Sequence, residues 1–165
     1  MRYLNKIVFI NSAAIRYSEV QLDGNIHLIG TQGVGKSTIL RAILFFYNAD
    51  TQRLGIPVEK KSYQDYYFPY ADSSIIYEVA REDGWFTVLS YKTMNRICYR
   101  FIASPYRPDL FIDEEGAPYP SDRIRSVLDK NGIKYSGAIS TYEEYRNILY
   151  GNSDNKRDYS CYSLM

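Results

Sequence analysis

The sequence predicts an α/β fold, and three observations carry that prediction. Short runs rich in Ile, Val, Phe and Tyr recur at residues 6–10, 15–22 and 25–29 and read as strands. The third run leads through a glycine-rich segment straight into a helix over residues 36–47. Its Ile39, Leu40, Ile43, Leu44, Phe45 and Phe46 are apolar on nearly every side, the pattern of a helix buried in a core. Further along, apolar runs at 74–80 and 85–91 flank Glu82-Asp83-Gly84, which reads as a hairpin.

The remaining elements follow from turn and capping chemistry. Asp23-Gly24 marks a turn between the second and third strands. Residues 48–70 have weak periodicity and read as a long irregular connection. A strand is expected over 96–103, broken off by Pro105 and Pro108, with a short strand at 110–112 and a turn over 113–120. Ser121 is placed as the N-cap of a helix whose stripe is Ile124, Val127 and Leu128, stopped at Asn131-Gly132. Thr141 and Glu144 form a capping box for a last helix carrying Tyr142, Tyr145, Ile148 and Leu149 and ending at Gly151. The organisation is one domain over residues 1–150. Residues 1–50 form a strand-loop-helix core, 51–120 a connection with antiparallel strands, and 121–150 two helices. Residues 151–165 are a polar tail, read as the start of a further region, so that the chain is expected to be the first part of a longer protein.

Composition narrows the function classes. The 165 residues carry a net charge of +1 and are 45% hydrophobic, enough for a core and too balanced for a basic nucleic-acid tail. No apolar run approaches the roughly 18 residues of a membrane span, so a cytoplasmic location without membrane contact is expected. Cys98 and Cys161 lack metal-ligand spacing and read as reduced thiols. The single histidine, His27, excludes any site that needs two and reads as a strand residue. Tyrosine is abundant, with 18 residues and a cluster at Tyr63, Tyr66, Tyr67 and Tyr70. No basic run interleaves them as a single-strand groove would require, so packing is favoured over base stacking.

The glycine-rich segment carries the chemistry. Gly30, Thr31, Gln32, Gly33, Val34, Gly35, Lys36 and Ser37 match G-x-x-x-x-G-K-[ST], between a predicted strand and a predicted helix as that motif demands. Glycines let backbone N–H groups curl around phosphate oxygens, and the helix N-terminus adds a partial positive charge. Lys36 would bridge β- and γ-phosphates, the Ser37 hydroxyl would ligate Mg²⁺, and Thr38 would donate to the α-phosphate. The expected ligands are a nucleoside triphosphate and Mg²⁺.

With glycine at position 33, the loop resembles the G-x-N-G-x-G-K-S loop of ABC-type ATPase heads, and within these the SMC, RecF and RecN group. Gln32 stands where that family has asparagine. The arrangement looks nearest to MukB-like and Wadjet-type condensin relatives. Arg53, Lys60 and Lys61 resemble the basic stretch that follows the helix in these proteins. The resemblance implies a P-loop NTPase fold of the ABC-head type: a mixed sheet around a buried P-loop helix, with an antiparallel β subdomain. It implies ATP as the nucleotide, DNA as a partner and a second head to complete the site. It further implies hydrolysis only when a Walker B pair and an LSGG-like signature arrive from a C-terminal lobe. No such signature occurs in this sequence, and no glutamine follows Gln64 to serve as the family's loop glutamine.

Leu110-Phe111-Ile112-Asp113-Glu114 admits two readings. As a Walker B element, Asp113 would hold Mg²⁺ and Glu114 would act on the attacking water. As a strand running into an acidic turn, it would do neither, and the short strand and the immediate Glu115-Gly116-Ala117-Pro118 favour the turn. Arg53 reads equally as a phosphate contact or an exposed loop arginine. Lys60 and Lys61 read as a solvated pair or a sequence-blind contact to DNA. Trp85 reads as hairpin packing. Two further functions stay open: a nucleotide-gated interaction module without turnover, and a P-loop kinase or phosphotransferase, for which no arginine lid is evident.

Overall fold

The computed structural model describes residues 2–22, 35–48, 63–152 and 159–165. Within them five strands form one sheet: β1 (Tyr3–Ser12), β2 (Ile15–Gln21), β3 (Ser74–Arg81), β4 (Gly84–Thr93) and β5 (Arg96–Ile102). Their order is β2-β1-β3-β4-β5, and every neighbouring pair is antiparallel. Four helices accompany them: α1 (Lys36–Asn48), α2 (Tyr63–Tyr67), α3 (Ser121–Lys130) and α4 (Tyr142–Leu149).

This sheet corrects the expected fold class. The described strands contain no parallel pair, so the mixed sheet of a P-loop NTPase ABC-type head lobe is not what they build. The reason is local. Only Ala13-Ala14, Glu82-Asp83 and Met94-Asn95 separate β1 from β2, β3 from β4 and β4 from β5, whereas a parallel neighbour needs a crossover of about a dozen residues. Nor is the antiparallel part a separate subdomain. β1 pairs with β3 from Tyr3↔Ala80 to Ile10↔Ser74, joining the first strands and the later hairpins in one layer. The strand expected at 25–29 lies outside the described residues.

Both faces of the sheet are covered, and side chains alternate between them. Ile7, Phe9, Ile75, Tyr77, Val79, Phe86, Val88, Tyr99 and Phe101 form one core with α1 and α4. Val8, Ile10, Ile76, Leu89 and Ile102 form another with Tyr106, Leu110, Phe111 and α3. This double burial covers β3 from Ser74 to Ala80 without alternation, the buried Glu78 carboxylate accepting from the Asn5 amide and the Tyr106 N–H. Helix α1 is correspondingly one-sided, against the expectation of burial all round. Ile39, Ala42, Phe45 and Phe46 are buried, while Leu40 and Leu44 are 41% and 44% exposed.

Tyrosines fasten α1 to its surroundings. The Tyr67 hydroxyl of α2 donates to the Thr38 carbonyl at 2.8 Å, and Tyr77 of β3 donates to the Ala42 carbonyl at 2.9 Å. Tyr145 of α4 donates to the Phe46 carbonyl, and Tyr150 to the Tyr47 carbonyl at 2.6 Å. Thr38, Ala42 and Phe46 are four residues apart, so three of these bonds fall along one face of the helix. The last two accept at the helix C-terminus, where backbone carbonyls lack helical partners. The rings beneath are stacked, Tyr99 on Tyr145 with centroids 4.3 Å apart. Packing, the favoured reading of the tyrosine excess, is how these residues are used.

Terminal signals of the later helices hold with one exception. Thr141 caps α4, its hydroxyl accepting from the Glu144 N–H at 3.2 Å. Gly132 and Gly151, with φ of +67° and +72°, stop α3 and α4. Ser121 is not an N-cap; Pro120 occupies that position and Ser121 is the first helical residue. The expected short strand at 110–112 is a 3₁₀ turn (Pro108–Leu110) followed by a single bridge between Ile112 and Pro118. Cys98 and Cys161 are both free.

Two outcomes are expected in chemical unfolding. Tyr145→Phe leaves the Phe46 carbonyl buried without its partner and should cost about 1–3 kcal/mol. Tyr17→Phe, at a 39% exposed position, should cost less. Burial also pushes the Tyr67, Tyr99 and Tyr145 hydroxyls above the ordinary tyrosine range. Their contribution is therefore fully present below about pH 10, the unfolded value, and is lost as pH rises beyond it. Urea midpoints measured between pH 8 and pH 11 should fall steeply only in the upper part of that range, and less steeply in a Tyr99→Phe variant.

Candidate functional site

The described part of the predicted phosphate loop is its last two residues with the glycine before them, Gly35, Lys36 and Ser37. Gly30, Thr31, Gln32, Gly33 and Val34 lie outside the described residues, as do Arg53, Lys60, Lys61 and His27. The Ile39 N–H donates to the Gly35 carbonyl at 3.2 Å, which is the first bond of the 13-residue helix α1. The N–H groups of Lys36, Ser37 and Thr38 consequently have no carbonyl within the helix to receive them. Lys36 and Ser37 are exposed, and among the described residues nothing bonds to the ammonium or the hydroxyl. A Cβ added at Gly35 would meet no atom within 4 Å among the described residues. Three free donors, a cation and a hydroxyl at one helix start fit a phosphate group, and Ser37 is the one described side chain there that fits Mg²⁺.

Behind this terminus, α2 acts as a strut. Tyr67 holds the Thr38 carbonyl, and the neighbouring Tyr66 carbonyl accepts from the Ala13 N–H at 3.2 Å. The β1–β2 turn is thereby tied to the first turn of α1. That turn is strained: Asn11, Ala13 and Ala14 have φ of +46°, +51° and +63°. For alanine such backbone costs on the order of 1 kcal/mol per residue. Beside the turn lies a cavity of about 590 Å³ walled by Ala14, Arg16, Asp65, Tyr66 and Tyr70. The tyrosine cluster at 63–70 was the sequence signal for this strut; its bond to Thr38 was not readable, because the partners are 29 residues apart.

Leu110 and Phe111 belong to the core on the sheet face opposite α1. Asp113 and Glu114 line a cavity of about 960 Å³ with Asn11, Arg16 and Tyr17. Asp113 is occupied by its own turn. Its Oδ1 accepts from the Glu115 and Ala117 N–H groups, both at 2.9 Å, and its N–H donates to the Ala117 carbonyl at 2.9 Å. Glu114 is exposed. The turn reading of this segment holds. Trp85 is 43% exposed at the start of β4, opposite Ala80 on β3.

No helix among the described residues is long and apolar enough to cross a membrane. If Asp113 serves its turn, Asp113→Asn should leave stability almost unchanged, since the amide oxygen still accepts both N–H groups. Asp113→Ala should cost about 1–2 kcal/mol. Thermal unfolding of the two variants separates this role from a metal-binding one, in which both would leave stability alone.

A family model described as Protein of unknown function (DUF3584) matches residues 11–160. No curated protein and no solved structure matches the chain.

Proposed function

The chain belongs to the DUF3584 family, and from that premise we propose that it binds the phosphates of a nucleoside triphosphate with Mg²⁺ at residues 30–38, without hydrolysing it alone. The observation that carries this reading is the start of α1. Its unpaired N–H groups, exposed Lys36 and exposed Ser37 stand where the G-x-x-x-x-G-K-S spacing requires them. Lys36 supplies a point charge to the outer phosphates, the Ser37 hydroxyl a ligand to Mg²⁺, and the Thr38 N–H a donor to the inner phosphate. Bound Mg²⁺ would neutralise charge between the phosphates. The strut from Tyr67 fixes the helix turn that presents these groups, and the cavity bounded by Tyr66 and Tyr70 gives the nucleoside end an apolar wall.

The absence of turnover follows from the other half of the chemistry. Hydrolysis needs a carboxylate beside the metal and another beside the attacking water. Asp113 is bound in its own turn, its Oδ1 accepting from the Glu115 and Ala117 N–H groups, which leaves neither role filled by it in this chain. ATP is preferred over GTP because the loop resembles that of SMC, RecF and RecN-type ATPases. The same resemblance supports a second ATP-binding protomer as the source of the missing groups. A nucleotide-gated interaction module is the alternative, sharing the binding step and lacking turnover in any assembly.

Calorimetric titration with ATP and Mg²⁺ tests this reading. The chain should bind with one saturable site, Lys36→Ala should weaken binding by about 10–100-fold, the equivalent of one charged hydrogen bond, and Ser37→Ala should remove the dependence on Mg²⁺. Glu114→Gln should change nothing. Absence of saturable binding by the unaltered chain, or steady phosphate transfer to a small acceptor, refutes the proposal.

A further inference from the structure

We propose that the cavity of about 960 Å³ between the β1–β2 turn and the Asp113 turn is a binding site for a small zwitterion with an apolar body, a short peptide with free termini.

Both sides of the cavity are rigid. On the turn side, Tyr119 N–H donates to the Phe111 carbonyl at 2.8 Å, Asp113 N–H to the Ala117 carbonyl at 2.9 Å, and Gly116 N–H to the Asp113 carbonyl at 3.0 Å. Leu110 and Phe111 anchor this turn in the core of the sheet face opposite α1. On the sheet side, the Asn11 carbonyl accepts from the Ser73 hydroxyl. The Tyr17 hydroxyl donates to Glu19 and is bonded to the Tyr106 hydroxyl, both at 2.8 Å. Neither side is free to collapse onto the other, and the space between them has the size of a small-molecule site, about 300–1,000 Å³.

Apolar surface lines the middle of this space: Ile10 and the ring of Tyr17 on the sheet side, Ile112 and Pro118 on the turn side. Most of the polar groups around it are already engaged. Asp109 is held by Arg107 at 2.7 Å, and Asp113 commits Oδ1 to two N–H groups of its turn. Three side chains have no bond among the described residues: the Asn11 amide and the Arg16 guanidinium from the sheet side, and the Glu114 carboxylate from the turn side. No ion pair joins Arg16 to Asp113 or Glu114 across the cavity, so each side keeps an unmatched charge of opposite sign.

That charge pattern selects the ligand. A simple anion would pair with Arg16 and meet the carboxylates of Asp113 and Glu114. A simple cation would pair with Glu114 and leave Arg16 unmatched. A molecule with a carboxylate at one end, an ammonium at the other and apolar side chains between them satisfies both sides. Guanidinium takes a carboxylate through two parallel hydrogen bonds, the Glu114 carboxylate takes the ammonium, and the Asn11 amide, both donor and acceptor, matches a peptide group. Asn11 and Arg16 also border the cavity beside Tyr66 and Tyr70, whereas Glu114 and Ala117 line only the cavity proposed for the peptide. The proposal does not rest on nucleotide binding.

Calorimetric titration of the full chain with the tripeptide Leu-Phe-Leu tests it, using the free form, the C-terminally amidated form, the N-acetylated form and the doubly blocked form. The free peptide should bind at one saturable site. Amidation and acetylation should each weaken binding about fivefold, the upper range for an exposed ion pair. Arg16→Gln should erase the amidation effect alone, and Glu114→Gln the acetylation effect alone. Ala117→Trp, which puts a ring into the space, should lose saturable binding. All three positions are exposed, so the variants should fold. ATP binding by Glu114→Gln and Ala117→Trp should match that of the unaltered chain, so that peptide and nucleotide binding can each fail alone. No saturable binding of the free peptide, equal binding of the free and doubly blocked forms, or a blocking effect that survives in its paired variant would overturn the proposal. An effect of only one block would also overturn it, in favour of a simple anion or cation.

Discussion

Hydroxyl-to-carbonyl bonds from four tyrosines hold helix α1 in place, and much of the molecule depends on them. Tyr67, Tyr77, Tyr145 and Tyr150 come from α2, β3, α4 and the residue after α4, and each ends on a backbone oxygen of α1. A helix carbonyl has a second lone pair after its own helical bond, and those near the C-terminus have both free. Tyrosine suits that acceptor because its ring fills core volume while its hydroxyl reaches a polar partner. The helix that follows the predicted phosphate loop is thereby fixed in rotation and along its axis, which an apolar stripe alone would leave looser.

That fixation matters for the proposed phosphate site, which would be made largely of backbone. Lys36 and Ser37 contribute side chains, but the N–H groups of residues 36–38 can aim at an anion only if the first turn of α1 stays put. Tyr67 grips that turn at Thr38, and through Tyr66 the same strut reaches the β1–β2 turn. Two alanines held at positive φ there show that the surrounding bonds over-determine the turn. The strained residues, the strut and the helix start form one connected unit beside a cavity.

The sheet divides the molecule's chemistry between its faces. One face carries α1, α4 and the stacked tyrosines; the other carries α3 and the segment through Tyr106, Leu110 and Phe111 that leads into the Asp113 turn. Carboxylates hold the arginines at positions 2, 81 and 107, in keeping with the near-zero net charge.

What lay within a few neighbouring residues was legible in the sequence. The hairpin at Glu82-Asp83-Gly84, the Thr141–Glu144 cap, the stops at Gly132 and Gly151 and the helix from Lys36 all follow from interactions spanning a handful of positions. So did the turn chemistry of Asp113, whose partners Glu115 and Ala117 are two and four residues away. The glycine-lysine-serine spacing marked the start of α1 at Lys36 for the same reason. The direction of strand pairing, by contrast, is not carried by the loop motif, and the described strands pair antiparallel throughout. β1 meets β3 across more than sixty residues of sequence, and no local pattern states whether such a meeting is parallel. Tertiary structure also decided which face each element covers. It set the Asp113 turn against a cavity with Asn11 and Arg16 and left one side of α1 exposed at Leu40 and Leu44. Contacts of this kind depend on the packing of both sheet faces at once, and that packing is a property of the assembled chain.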